Sequence, residues 1–188
     1  MNKILILILF LLTSCVETVV VGTIVTGSAI VQSRKPSYRK DIDEDIKIAI
    51  SKSFLVEDDK EFYKNIRVNV FESRIMLTGY VKDEKYKKNA VKKAITIKNG
   101  AEIIDEILII PTNNISSETA DSLVSKQIWI KLKVTDGINS SNYEYEVVDG
   151  VVYIIGKSED KKELIKTTNT IARVKGVNKV ISYIDLND

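Results

Sequence analysis

The sequence predicts an α+β protein in which one small αββαβ unit occurs twice, after an N-terminal export signal and a tether. Three observations predict it. Residues 68–79 and residues 145–156 match each other as an internal repeat. Apolar residues recur at helical spacing before and after each copy. A glycine follows each second helical pattern and precedes a strand-like segment. We expect a signal peptide at 1–14, an acylated N-terminus and tether at 15–40, and domains at 41–112 and 115–188.

Each copy of the repeat predicts a β-hairpin, because two alternating apolar segments flank a short polar turn. In the second copy the turn is Asp149-Gly150, and Gly150 tolerates the positive φ that tight hairpins need. In the first copy the turn is Glu72-Ser73-Arg74, a weaker signal. Both copies end on a glycine, Gly79 and Gly156.

An apolar helix pattern with a period of four residues precedes each hairpin. Asp43 comes before the first pattern and Asp121 before the second. We expect both carboxylates at or near helix starts, where they can accept hydrogen bonds from free backbone N–H groups. The patterned residues are Ile46, Ile50 and Phe54 in the first copy and Val124, Ile128 and Leu132 in the second.

A second helix follows each hairpin, over about Glu84–Lys98 and about Asp160–Val174. Gly100 and Gly176 end these helices, and the last strands are residues 101–110 and 177–186. The side chains predicted to face inward are Tyr86, Ala90, Val91, Ala94 and Ile95 in the first copy and Leu164, Ile165, Thr168, Ile171 and Ala172 in the second.

The N-terminus predicts export. Lys3 precedes an apolar run over residues 4–12, which is too short to span a bilayer, and small residues follow it. Leu12-Thr13-Ser14-Cys15 resembles the bacterial lipobox. That resemblance implies cleavage before Cys15, the only cysteine, with diacylglycerol and fatty acyl (palmitate) chains attached to it. The alternative is an incidental thiol beside an ordinary cleavage site.

Residues 16–33 are rich in valine, isoleucine, glycine and threonine, and three interpretations stay open. The segment lies at the lipid surface, covers an apolar patch of the folded part as an extended strand, or forms a second span. The basic residues around Pro36 either contact anionic headgroups or belong to a solvated linker.

Composition argues against catalysis. The chain has 188 residues, no histidine, and a formal net charge of +2. The commonest general base and transition-metal ligand is therefore missing, and the scattered carboxylates are typical of solvated faces. We expect no catalytic residue, no metal site, no small-molecule substrate and no nucleic-acid partner. No cofactor is expected beyond the lipid on Cys15.

The order of elements resembles the BON domain, a small αββαβ module of bacterial envelope proteins. Asp43/Ile46/Ile50 and Asp121/Val124/Ile128 match its opening motif, Gly79 and Gly156 its hairpin ends, and Gly176/Val180 its last element. Two such units after a lipobox are similar to the dual-BON outer-membrane lipoproteins of the DolP/YraP type. The resemblance implies a non-catalytic lipoprotein that binds anionic phospholipid through the first helix of its second BON domain and supports outer-membrane integrity.

Helical geometry then selects residues in that helix. Val124, Ile128 and Leu132 form the core stripe, and Trp129, the only tryptophan, lies about 100° to one side of its centre. The predicted phospholipid-binding residues are Leu123, Lys126, Trp129, Ile130 and Lys133. A tryptophan beside lysines is typical of a membrane–water interface. The alternative is that Trp129 packs against the other unit or the hairpin.

We therefore expect an outer-membrane, lipid-anchored protein facing the periplasm. Val16 follows the cysteine, whereas an aspartate there is the familiar signal for retention in the inner membrane. The alternative function is a periplasmic adaptor that docks on outer-membrane assembly proteins, for example by pairing a partner strand with residues 177–186.

Overall fold

The computed structural model describes residues 39–56, 60–111 and 118–187. The predicted signal peptide, Cys15 and nearly all of the predicted tether lie outside these ranges, so those predictions stay untested. The predicted domain boundaries also stay predictions.

The first half of the described chain, called module 1 here, has the predicted order of elements. They are α1 (Lys40–Leu55), α2 (Lys60–Tyr63), β1 (Ile66–Phe71), β2 (Arg74–Val81), α3 (Glu84–Ile97), β3 (Ile103–Asp105) and β4 (Leu108–Ile109). The short helix α2 was not predicted. Its Tyr63 stacks on Phe54 with ring centroids 5.4 Å apart, which ties the loop after α1 to the core.

The second half, module 2, repeats the pattern. Its elements are α4 (Glu118–Val134), a 3₁₀ turn (Ser140–Asn142), β5 (Tyr143–Val148), β6 (Val151–Ser158), α5 (Lys161–Ala172) and β7 (Lys179–Leu186). Asp160 caps α5, because its side chain accepts a hydrogen bond from the backbone N–H of Glu163 at 2.7 Å. The predicted α+β class and two αββαβ units are confirmed.

Each module has one mixed sheet with the hairpin at its centre. β1 pairs antiparallel with β2, and β5 with β6, while the last strands run parallel to β2 and β6. β7 is continuous, whereas the single last strand expected in module 1 is broken into β3 and β4. The break occurs because Ile107 turns into the module core, where it is 1% exposed, and its N–H bonds to Asp105.

Both hairpin turns have left-handed backbone at their two central residues. Glu72 and Ser73 have φ of 49° and 63°, and Asp149 and Gly150 have φ of 52° and 72°. This is the turn geometry whose twist matches that of the flanking strands. The weaker sequence signal in the first copy therefore marks the same kind of turn, at the cost of positive φ in two residues with side chains.

The two repeated aspartates do not cap their own helices, which corrects the sequence interpretation. α1 begins at Lys40 and α4 at Glu118, so both aspartates lie inside the first turn or just beyond it. Asp43 accepts hydrogen bonds from the N–H groups of Glu72 and Ser73 at 2.7 and 2.9 Å. Asp121 accepts from those of Asp149 and Gly150 at 2.8 and 3.0 Å. We call this contact the turn clamp, since it fixes each first helix to its hairpin.

At two of the predicted structural glycines, only glycine fits, and for the same reason. Gly79 is paired with Ile66 and Gly156 with Tyr143, at the open end of each hairpin. A Cβ atom on Gly79 would overlap the carbonyl oxygen of Asn65, and one on Gly156 would overlap that of Asn142. The chain entering each hairpin therefore passes too close for any side chain. The other three predicted glycines, Gly100, Gly150 and Gly176, all have positive φ.

Each module has its own apolar core between its helices and one face of its sheet. The three predicted core residues of each first helix are buried, as expected. Three predictions for the second helices were wrong: Ile95 is 46% exposed, Ile165 is 48% exposed, and Ala172 is exposed as well. Small residues such as Ala90 and Ala94 line the inner face of α3, and Ile95 turns away from the core.

A third core joins the modules, because the other face of each hairpin is also apolar. Met76 and Phe71 of module 1 pack against Tyr153 and Ile155 of module 2. The two sheets therefore face each other, with α1 and α3 outside one and α4 and α5 outside the other. The described residues form one compact unit with four layers, helix–sheet–sheet–helix.

Charged side chains surround this sheet-to-sheet contact. Arg74 Nη1 lies 2.8 Å from Asp185 Oδ2 and also donates to the Tyr183 carbonyl at 3.0 Å. Lys40 pairs with Glu144 at 2.8 Å. The Tyr183 hydroxyl donates to Glu106, and burial together with this carboxylate raises the pKa of Tyr183 to about 12. These directional contacts set the register of the two sheets, although exposed pairs add little stability.

Burial at the sheet-to-sheet contact destabilises the ionised form of Glu146. It lies on the inner face of β5, opposite Tyr153 in the strand pairing. Burial raises its pKa, and the positive charges of Arg67 and Lys47 offset this only partly. Ionised Glu146 therefore opposes folding.

The turn clamp predicts that Asp43→Ala destabilises the protein by about 1–3 kcal/mol, since two turn N–H groups lose their acceptor. Asp45→Ala is the matched control, because Asp45 is exposed on the same helix, and we expect it to change stability by less than about 0.5 kcal/mol. Chemical denaturation of both variants measures this. Equal stability of the two variants would contradict the clamp.

Glu146→Gln should raise the melting temperature at pH 8, and this gain should vanish near pH 4. The sign follows from the raised pKa of Glu146: the carboxyl is ionised in both states well above its folded pKa, which penalises folding. Below the unfolded pKa of about 4.3 it is protonated in both states and the penalty is absent. Glu144→Gln, which loses the Lys40 pair, should show no gain at pH 8. A loss of stability in Glu146→Gln at pH 8 would refute the assignment.

Candidate functional site

The helix α4 divides into an inner stripe and an outer face. Val124, Ile128 and Leu132 are buried in the core of module 2, with Ile128 fully covered. The core therefore contacts only one side of α4. The other large apolar residues of the helix lie outside the core.

We define the α4 outer face as the side of the helix that turns away from the sheet. Leu123 is 55% exposed, Trp129 57% and Ile130 51%. Its six residues are Leu123, Lys126, Trp129, Ile130, Lys133 and Val134, of which Lys133 is half-buried and the others exposed. Large exposed apolar groups that adjoin one another on a surface mark a contact site more often than a scattered arrangement does.

All five predicted phospholipid-binding residues lie on this face. Trp129 does not pack into the other module, because more than half of its surface is open. The ammonium of Lys133 lies 5.9 Å from the centroid of the Trp129 ring, a cation–π distance. At 100° per residue, Lys126 and Lys133 fall between Trp129 on one side and Leu123 and Ile130 on the other.

This arrangement suits a bilayer surface, in which anionic headgroups cover an apolar acyl region. A tryptophan ring partitions to the headgroup region of a bilayer, while lysine stems extend their ammonium groups to phosphates. A helix that lies in the plane of the interface needs an apolar face of this kind and cationic flanks.

Contacts on the inner side hold α4 in place. Asp121 bonds to the hairpin turn through the clamp, and the Tyr145 hydroxyl donates to the Ser125 carbonyl at 2.9 Å. Burial raises the pKa of Tyr145, so this donor keeps its proton at any physiological pH. Val124 also packs directly over Gly176, where a Cβ atom would lie 2.7 Å from its methyl group. The outer face is therefore presented by a fixed helix.

A cleft of about 480 Å³ borders α4 where it approaches module 1. Arg67 and Tyr80 line it from the hairpin of module 1, and Ser122 and Lys126 from α4. Glu146 lines it as well, so both signs of charge meet there. Lys126 belongs to both the cleft and the α4 outer face.

Sequence reasoning missed the turn clamp and the cleft for different reasons. The clamp had a signal, because an aspartate precedes each helix pattern and a polar turn follows at nearly the same distance in both copies. The cleft had none, since it depends on how the two sheets pack. The predicted lipidation site, Cys15, lies outside the described residues. Within the described ranges, none of the helices has the length and apolar character of a bilayer-spanning segment.

Comparison with known proteins places these features in a family. A model of the BON domain matches residues 42–111 and 120–188. An uncharacterised Anaplasma centrale protein, described by its place in the gshII 5′ region, is 34% identical over 140 residues, or 71% of this chain and 93% of that protein. Osmotically-inducible protein Y of Escherichia coli is 23% identical over 69% of this chain and 65% of its own length.

Among solved structures, the C-terminal domain of CdsD, a structural protein of the type III secretion system of Chlamydia trachomatis, aligns with 80% of this chain and 67% of its own at 15% identity. The TM-score is 0.32. BON-domain proteins belong to the bacterial envelope and periplasm, can bind phospholipids and are generally non-catalytic. With one family match in each module, the chain belongs to the BON-domain family and carries two copies of the domain.

Proposed function

We propose that this protein binds anionic phospholipid through the α4 outer face and, as a lipoprotein anchored at Cys15, supports the integrity of the outer membrane. The observation that carries the proposal is the exposure of Trp129, Leu123 and Ile130 on a helix that also presents Lys126 and Lys133. Apolar insertion gives affinity for any bilayer, and the lysines give preference for anionic headgroups.

The proposed anchor and the α4 outer face reinforce each other. The acyl chains hold the protein near one leaflet, so the second contact forms at high effective concentration even when its own affinity is low. This accounts for a surface with only a few apolar groups and two lysines.

Trp129→Ala should weaken binding to phosphatidylglycerol vesicles by roughly tenfold, because burying one large apolar side chain is worth about 1.5–3 kcal/mol and 1.4 kcal/mol is a factor of ten. Vesicle co-flotation of the expected mature chain, residues 15–188 carrying Cys15→Ser, measures this without a contribution from the acyl groups or the apolar signal. Leu186→Ala is the control, since Leu186 is 43% exposed on the edge strand β7. Binding that is equal for neutral and anionic vesicles and unchanged by Trp129→Ala would sink the proposal.

The anchor predicts a mature protein that begins at Cys15 and carries diacylglycerol and fatty acyl groups. Intact-mass measurement of the membrane-extracted protein tests this, and Cys15→Ala should abolish both the acyl mass increase and the cleavage before residue 15. An unmodified thiol at Cys15 in the membrane fraction would show that something other than lipid retains it.

The adaptor function has less support. β7 does form the edge of its sheet, as strand addition requires. However, Arg74 of module 1 already donates to the Tyr183 carbonyl and pairs with Asp185. A partner strand along β7 would have to displace this contact. Stoichiometric co-purification of one outer-membrane assembly protein, independent of lipid, would favour the adaptor.

A further inference from the structure

The helix α3 has an uneven charge that the proposed function does not use. It contains five lysines and one glutamate, although the whole chain has a formal net charge of only +2. The next most basic helix in the described part of the chain, α5, has three lysines and one glutamate. The near-neutral total therefore conceals a local excess of positive charge along α3.

Part of this charge serves the fold, and part is presented to solvent. Lys87 donates to the Ile107 carbonyl at 2.7 Å and lies 3.4 Å from Asp105, so it holds the broken last strand. Lys85, Lys88 and Lys92 are exposed. At 100° per residue they fall within an arc of about 60° along the outer side of α3. We call these three residues the α3 lysine row.

One exposed apolar side chain accompanies the row: Ile95 is 46% exposed and lies beside Lys88 and Lys92 on the helix. Ile97 lies about 150° from the centre of the row and belongs to the side of α3 that faces the core. A groove of about 360 Å³ runs between the end of α1 and this half of α3, lined by Ser53, Asn89, Lys92, Lys93, Thr96 and Ile97. An exposed isoleucine beside lysines suits the boundary between headgroups and acyl chains at a lipid surface.

The four-layer fold determines where the row points. α3 packs on the outer side of the first sheet and α4 on the outer side of the second, while the two sheets face each other. The α3 lysine row and the α4 outer face therefore lie on opposite sides of the protein. One flat bilayer cannot contact both of them at once.

We propose that the α3 lysine row is a second anionic-phospholipid contact, and that one molecule thereby holds two bilayer surfaces. The α3 contact stands on the three lysines of the row and on Ile95 beside them. The two-surface part rests on the proposed function of α4.

The chain allows the two contacts to be observed separately. Trp129 is the only tryptophan, so its emission reports α4 alone. Cys15 is the only cysteine, so Cys15→Ser combined with Thr96→Cys gives the expected mature chain, residues 15–188, a single labelling site on the exposed side of α3. A polarity-sensitive fluorophore there reports the arrival of α3 at a bilayer. Vesicle clustering, followed by light scattering, reports both contacts together.

On phosphatidylglycerol vesicles we expect the α3 fluorophore to respond, the Trp129 emission to shift to the blue, and the vesicles to cluster. On phosphatidylcholine vesicles we expect no response of the α3 fluorophore. Lys85→Glu/Lys88→Glu/Lys92→Glu should weaken the α3 response by about a hundredfold and abolish clustering, with the Trp129 shift kept. The matched control, Lys85→Arg/Lys88→Arg/Lys92→Arg, should preserve all three signals. Thermal unfolding of both triple variants verifies that they fold.

No α3 response on anionic vesicles, or a response that survives the lysine-to-glutamate changes, overturns the proposal. Retention on heparin that depends on the row, without a vesicle response, also overturns it and assigns the row to a polysaccharide or nucleic-acid polyanion. A lysine-dependent α3 response without a Trp129 shift supports the α3 contact and refutes the proposed function of α4. Both fluorescence signals without clustering refute the two-surface part.

Discussion

The face-to-face packing of the two hairpins is the contact on which the rest of the structure depends. β2 and β6 are apolar on both faces, so each needs helices on one side and another sheet on the other. On the inner faces, Met76 and Tyr153 are both almost fully buried. Separating the modules would expose a continuous apolar surface on each, which single domains of this size do not tolerate in water. The two family domains are thus halves of one folded unit.

Within that unit, the repeat preserves the framework and varies the surfaces. The turn clamp and the crowded glycine of the hairpin occur in both modules with the same partners in corresponding places. The outer faces differ in chemistry: α4 carries a tryptophan that its counterpart α1 lacks, and α3 has five lysines where its counterpart α5 has three. Duplicated frameworks of this kind allow each copy to acquire its own contact, because the residues that hold the fold are not those that face the solvent.

Much of the fold could be predicted from the sequence, because periodicity, turn residues and the repeat all depend on local chemistry. Glu72-Ser73 was located as a turn, and Val124, Ile128 and Leu132 as a core stripe, on spacing alone. The exposure of Trp129 followed from the same geometry, with packing as the alternative. The errors involve contacts between distant segments. The acceptor role of Asp121 towards a turn, the inward Ile107 and the outward Ile95 each depend on which element lies nearby, and spacing does not encode that.

The turn clamp also has an evolutionary consequence. Asp121 holds α4 by accepting hydrogen bonds from the turn, and the Ser125 carbonyl holds it by accepting one from Tyr145. No outer-face side chain is therefore needed to keep the helix in position. Substitutions at Leu123, Trp129 or Ile130 can then change what the helix recognises with little loss of stability. Selection for recognition and selection for folding act on separate residues of one helix. A lineage could therefore retune this surface in single steps, each of them viable.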